Sequence, residues 1–212
     1  MSHFAVAVFC HADDDAELER LLAPYQENNM GDCPKEYLAF VEDEDCDVDE
    51  ETGKRGYWEN PNAKWDWWQI GGRYSGWFKT KTGQSVNYGQ IGELDFSPDQ
   101  KAYQSAIRFW EVNVEGAPLQ PGEDEEDFFN FFRPKYYLKQ YGTKEAYAAS
   151  QADVTPWAFV TASGEWCEKG KMGWWAVNDA TKDSRVAFHE AFHKALQDAA
   201  PTDYIVLVDC HI

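Results

Sequence analysis

Five of the ten tryptophans fall within residues 58–77, WENPNAKWDWWQIGGRYSGW. Trp58, Trp65, Trp67, Trp68 and Trp77 are interleaved there with Asn60, Asn62, Lys64, Asp66, Arg73 and the pair Gly71-Gly72. Cores are built from Leu, Ile, Val and Phe with few charges, so this mixture reads as a recognition surface. An indole offers a flat face and one N–H donor. Lys64 and Arg73 offer charge for a phosphate or carboxylate. The two glycines let backbone approach a ligand closely, and their N–H groups can form an anion nest. Such a set suits a nucleobase or nucleotide, with stacking worth about 1–3 kcal/mol per base. The alternative is an aromatic hairpin that seals onto the body of the fold, with Asp66 and Arg73 as an internal ion pair. On a strand, Lys64, Asp66 and Trp68 would share one face, and Trp65 and Trp67 the other. Asn60-Pro61-Asn62 reads first as a turn leading into that strand, ahead of a ligand-contacting amide loop.

Two further constellations could carry chemistry. His189-Glu190-Ala191-Phe192-His193 matches HExxH on an expected helix. The i, i+4 spacing puts both imidazoles on one face, and Glu190 could serve a zinc-bound water as base. Lys194 follows where zinc-peptidase helices carry an apolar residue, and a third ligand would have to be Asp209, Cys210 or His211. A solvated helix face is the favoured reading, so no metal or other cofactor is called for. Asp209-Cys210-His211 closes the last expected strand, and His3 opens the first. If those strands are antiparallel neighbours, His3 and His211 lie close together. A Cys–His pair invites a nucleophile reading. A strand gives Cys210 no helix N-terminus to lower its pKa, so a small buried thiol with a terminal polar cap is preferred.

GYWENPNAKWDWWQIGGRYSG, residues 56–76, resembles the signature of an uncharacterised family found in phages and prophages. PWAFVTASGEWCEKGKMGWW, residues 156–175, resembles that family's second block, and the terminal VDCHI resembles its ending. Tyr74 stands where the signature carries Trp, which keeps an aromatic face. The resemblance implies a phage-type origin and no mechanism.

The elements that must position these residues follow from patterning. HFAVAVFC is a short apolar run, read as a buried strand. Asp13–Asp15 supply a cap and first-turn acids for a helix carrying Leu18, Leu21, Leu22 and Tyr25 to about residue 27. Strands are expected at 37–41, 65–70 and 76–80, and helices at 100–112, 128–137 and 144–152. A hairpin of 157–161 with 173–177 follows, then a helix over 184–199 with Val186, Phe192 and Leu196 inward, then the strand YIVLVDC. The order β-α-insertion-β-β-α-β predicts an α+β fold, a ferredoxin-like sandwich in one domain over 1–212. Residues 42–153 are the expected insertion and carry the Trp-rich block.

The net charge of −19 is localised. Residues 13–19, 42–51 and 123–127 hold five, eight and five acids and no Lys or Arg; removing those eighteen from −19 leaves −1. Such runs are usually solvated loops or helix starts. The alternative is mimicry of a nucleic-acid backbone, occupying a basic groove on a host protein. Direct binding of duplex nucleic acid is disfavoured, because phosphates require a basic face. Five cysteines without a CxxC pair argue for reduced thiols in a cytoplasm. No apolar run approaches the ~20 residues a membrane helix requires, and the acidic turn after residue 8 does not fit a secretory signal. The leading expectation is a cytoplasmic, phage-type protein that binds a small anionic aromatic ligand. A nucleotide or nucleotide-derived signal fits best, with sequestration of a host defence messenger as the biological setting. The alternatives are an acidic inhibitor of a host protein and a metal-dependent hydrolase using His189, Glu190 and His193.

Overall fold

The computed structural model describes residues 2–130, 132–173 and 177–212. The chain divides into two compact units, Met1–Asp95 with Thr155–Ile212, and Phe96–Val154. Residues 42–153 are therefore shared between the two units instead of forming one insertion.

The first unit begins with β1 (His3–Cys10), α1 (Asp15–Leu22), β2 (Ala39–Glu42), β3 (Gly56–Glu59) and β4 (Trp67–Ile70). It continues with β5 (Phe78–Thr80), β6 (Ser85–Val86), β7 (Tyr88–Gln90) and β8 (Leu94–Asp95). The second unit holds α2 (Gln100–Asn113), α3 (Pro134–Tyr141) and α4 (Lys144–Ala152). The chain then returns to the first unit with β9 (Ala158–Val160), β10 (Trp166–Glu168), α5 (Lys182–Asp198) and β11 (Tyr204–His211).

The main sheet has the order β10-β9-β1-β11-β4, and β7 also pairs with β11. β1 and β11 run antiparallel over eight residues, with His3 opposite His211. β1 reads as an uninterrupted apolar run because both of its faces are covered. Phe4, Val6, Val8 and Cys10 pack with Leu18, Leu21 and Leu22 of α1. On the other face Phe9 meets Phe159 and Phe192, each at 5.9 Å between ring centres. Phe159 also touches Phe188 of α5, at 5.4 Å. Side chains alternate along a strand, so α1 and α5 cover opposite faces of the sheet.

The α+β class stands, but the ferredoxin-like arrangement does not. That sandwich puts both helices on one face and the second hairpin strand beside β1. Here the first hairpin strand, β9, pairs parallel with β1, and β10 takes the edge. The hairpin's second strand is Trp166–Glu168, not 173–177, of which residues 174–176 lie outside the described residues.

Local chemistry explains most element boundaries. Asp14 caps α1 by accepting from the Ala16 N–H at 3.0 Å. The helix yields to a 3-10 turn at Ala23–Tyr25, short of residue 27, because Pro24 has no N–H to continue it. Thr181 and Ser184 form a capping box at the start of α5. Phe188 and Phe192 make its buried stripe, leaving Val186 52% exposed instead of inward. In the second unit, the helix expected over 128–137 begins only at Pro134, which occupies the first turn after an extended Arg133. Trp110, Tyr137 and Tyr147 form the aromatic core there. No helix among the described residues is long and apolar enough to cross a membrane.

The acidic segments are mostly solvated and partly engaged by the chain itself. Glu17 accepts from the His11 and Ala12 N–H groups. Lys54 pairs with Glu42, and Lys35 with Glu51. Arg108 grips Glu123 through Nε and Nη2 at 2.7 and 2.6 Å. That contact holds the Glu123 carboxyl down at about 2.

Candidate functional site

The antiparallel register of β1 and β11 sets two histidines side by side at one end of the sheet. The His3 and His211 rings are 4.9 Å apart, edge to face. Each imidazole is tied to its own carboxylate. His3 Nδ1 lies 2.9 Å from Asp209 Oδ1, and His211 Nδ1 lies 2.6 Å from Asp66 Oδ1. An ionised carboxylate only accepts, so each Nδ1 carries the proton and donates it. That leaves both Nε2 atoms as the reactive edges. Neither makes a hydrogen bond among the described residues. Both side chains are largely enclosed, 10% exposed for His3 and 6% for His211.

Trp67 completes the group. It follows Asp66 into β4, which pairs with β11 so that Trp67 stands opposite His211. Its indole stacks on the His211 ring at 5.1 Å with 16° between planes, and meets the His3 edge at 5.3 Å. The outer part of the ring is open, since Trp67 is 42% exposed.

Asp209 is fully buried, and a second donor stabilises it. Its Oδ2 accepts from the Arg73 N–H at 2.9 Å. The anion nest expected at Gly71-Gly72-Arg73 is thus reduced to one donor on the protein's own carboxylate, because the Gly71 N–H donates to the Leu207 carbonyl at 2.8 Å. Gly72 makes the approach possible: its φ is +48°, and a Cβ there would lie 2.4 Å from Asp209 Oδ2. Gly72→Ala is expected to cost about 2 kcal/mol or more, from the left-handed backbone and the displaced carboxylate. Urea unfolding would show it as a lower midpoint; an unchanged midpoint would contradict this packing. Tyr74 adds a clamp, its hydroxyl donating to the His3 carbonyl at 2.9 Å. Burial, then Asp209, push that phenol above its ordinary range while Arg73 opposes them, so it remains a neutral donor.

The Arg73 side chain is exposed and makes no ion pair among the described residues. The expected Asp66–Arg73 pair is thus absent, because Asp66 is engaged by His211. The expected alternation also fails at one end. The strand begins only at Trp67, and Trp65 is pulled into the α1-side core with Trp68 packed against it. Trp65 is held by backbone bridging to Gln26.

The remaining residues of the Trp-rich block serve the framework. Trp58 donates Nε1 to Asp49 Oδ2 at 3.1 Å and meets the Phe40 ring at 5.3 Å. Asn60 is buried and donates to the Pro24 and Gln26 carbonyls, both at 2.9 Å. Its Oδ1 accepts from the Asn62 N–H, so this segment is the turn, and Asn62 lies exposed on it. Lys64 pairs with Glu168 at 2.8 Å. Gly71 has φ +70° and packs against the Asn87 side chain. Trp77 meets Tyr74 edge-on at 5.6 Å.

The other constellations resolve differently. Cys210 is fully buried on the face opposite His211. Burial pushes its thiol well above the ordinary range, which favours the small buried thiol over a thiolate nucleophile. His189 and His193 lie together at 4.3 Å on the outer side of α5. No group of three His, Cys, Asp or Glu among the described residues is placed to hold a metal ion. A cleft of about 530 Å³ opens at the far end of the α5-side face, lined by Phe9, Phe159, Lys194 and Ala195. Its ion contacts, His11–Asp203 at 3.6 Å and Lys194–Asp198 at 2.6 Å, involve largely exposed His11, Lys194 and Asp198 side chains. Convergent polar groups are what mark a site, and they lie at the His3–His211 end.

No protein-family model, curated protein sequence or solved structure matches this chain. The Trp-rich block contributes Asp66, Trp67 and Arg73 to the site, but not their partners. His3, Asp209 and His211 lie far outside it in sequence, and the pairing of the first and last strands is the signal that locates them.

Proposed function

We propose that this protein binds a small anionic ligand carrying an aromatic ring, a nucleotide or nucleotide-derived signal, at the Trp67–His211–His3 end of the sheet. The observation that carries this reading is the open face of Trp67 beside two imidazoles with unbonded Nε2 edges. An indole face stacks on a base. The exposed Arg73 guanidinium donates to phosphate oxygens, and an imidazole does so from Nε2 when its ring is protonated. The chain's charge of −19 opposes a long polyanion, which favours a ligand of one or two nucleotides. In a phage setting, within a host cytoplasm, such a protein would sequester a host defence messenger. All five cysteines are free thiols, in keeping with a reducing compartment.

A panel of mono-, di- and cyclic nucleotides tests this by thermal shift and tryptophan quenching. At least one class should raise the melting temperature and quench indole emission. Arg73→Ala should weaken that ligand about ten- to hundredfold, the loss of a charge-assisted contact of about 1.5–3 kcal/mol. Trp67→Ala should cost a comparable stacking contribution. Absence of any shift across the panel would remove the reading.

A further inference from the structure

The two imidazoles are more than a binding surface. We propose that His3 and His211 act as a general acid–base pair that cleaves a small ribonucleotide phosphodiester. This rests on the nucleotide-binding reading of the same site and specifies its substrate class.

Four features support it. Each imidazole is oriented by a separate carboxylate at hydrogen-bond distance, the arrangement that fixes tautomer and ring position in acid–base catalysis. Each Nε2 is left without a partner among the described residues. The rings stand 4.9 Å apart, close enough to serve two oxygens on one phosphorus. The buried acid is not shared between the imidazoles: Asp209 serves His3 and the Arg73 N–H, while Asp66 serves His211. Each imidazole therefore keeps its own orienting carboxylate. Among the described residues, Asp66 and Asp209 contact the two rings, the neutral Tyr74 hydroxyl donates to the His3 carbonyl, and Arg73 adds its backbone N–H to Asp209.

The step is balanced within the substrate. The ribose 2′-oxygen attacks phosphorus, and its proton passes to the neutral Nε2. The P–O5′ bond breaks, and the departing O5′ takes the proton from the other Nε2–H. The products are a 2′,3′-cyclic phosphate and a 5′-hydroxyl. Exchange of protons with water restores the starting state. The internal nucleophile needs only removal of one proton and delivery of another, which is what two imidazoles supply. Trp67 would hold a base, and Arg73 a phosphate oxygen.

The test uses the full chain with the sixteen ribodinucleoside monophosphates and their 2′-deoxy counterparts. Cleavage of at least one ribo compound to a 2′,3′-cyclic phosphate is expected, with a bell-shaped pH profile and no cleavage of the matched deoxy compound. His3→Asn and His211→Asn keep an N–H facing Asp209 and Asp66, so they should fold. Each should lower the rate at least about hundredfold. Their melting temperatures and their affinity for the deoxy compound are measured alongside. Wild type that binds the deoxy compound but cleaves no ribo compound overturns the catalytic inference and leaves the binding reading intact. Failure to bind any of them overturns the catalytic inference, and with no shift across the nucleotide panel as well it overturns both. Cleavage unchanged in both variants assigns the activity to something other than this pair and also overturns it.

Discussion

Asp209→Ala is expected to destabilise the protein by about 3–5 kcal/mol. The carboxylate is fully buried and accepts from both His3 Nδ1 and the Arg73 N–H. Its removal strands two donors in an enclosed site and leaves a cavity between β11 and the turn after β4. Asp209→Asn keeps the volume and one accepting oxygen, so it should lose less, about 1–3 kcal/mol. Urea unfolding reads both as shifts in midpoint at constant slope. A loss below 1 kcal/mol for Asp209→Ala would mean that the carboxylate does not hold this end of the sheet. Ligand affinity should fall with stability, because the same group orients His3.

Phe192→Ala should cost a similar amount, about 3–5 kcal/mol, for a different reason. The ring is fully buried and touches Phe9, Phe159 and Phe188. Leu21→Ala, on the opposite face against Val6 and Val8, should cost about 2–5 kcal/mol. The sheet separates the two sites, so the double variant should equal the sum of the singles within about 0.5 kcal/mol. Strong coupling between them would contradict the placement of α1 and α5 on opposite faces.

The frame of this fold was legible where the sequence carries a local signal. The apolar runs of β1 and β11 and their antiparallel pairing follow from burial on both faces and short connections. The capped helix at Lys144–Ala152 lies where its composition puts it. The two helices' faces were not legible, because amphipathic stripes say that a side is buried but not against which side of a sheet. β10 was hidden because Trp166–Glu168 is three residues long and shows no alternation. At the site, Trp67 and Arg73 stand out by residue type. The partner of Asp66 could not be read, since charge alone suggests Arg73, seven residues on. His211, 145 residues away, becomes the partner only through the pairing of β4 with β11. The glycine pair was legible as a place of close backbone approach, but not that a carboxylate from the last strand would be what approaches it.

The central claim is that a nucleotide-type ligand meets His3 and His211. Imidazole spectra of ¹³C-histidine-labelled protein test it directly, because the chain has only five histidines. Titration with the nucleotide class selected by thermal shift should move the ring signals of His3 and His211. Those of His11, His189 and His193 should stay in place. Binding that leaves the His3 and His211 signals unmoved, or shifts the other three instead, would contradict the account.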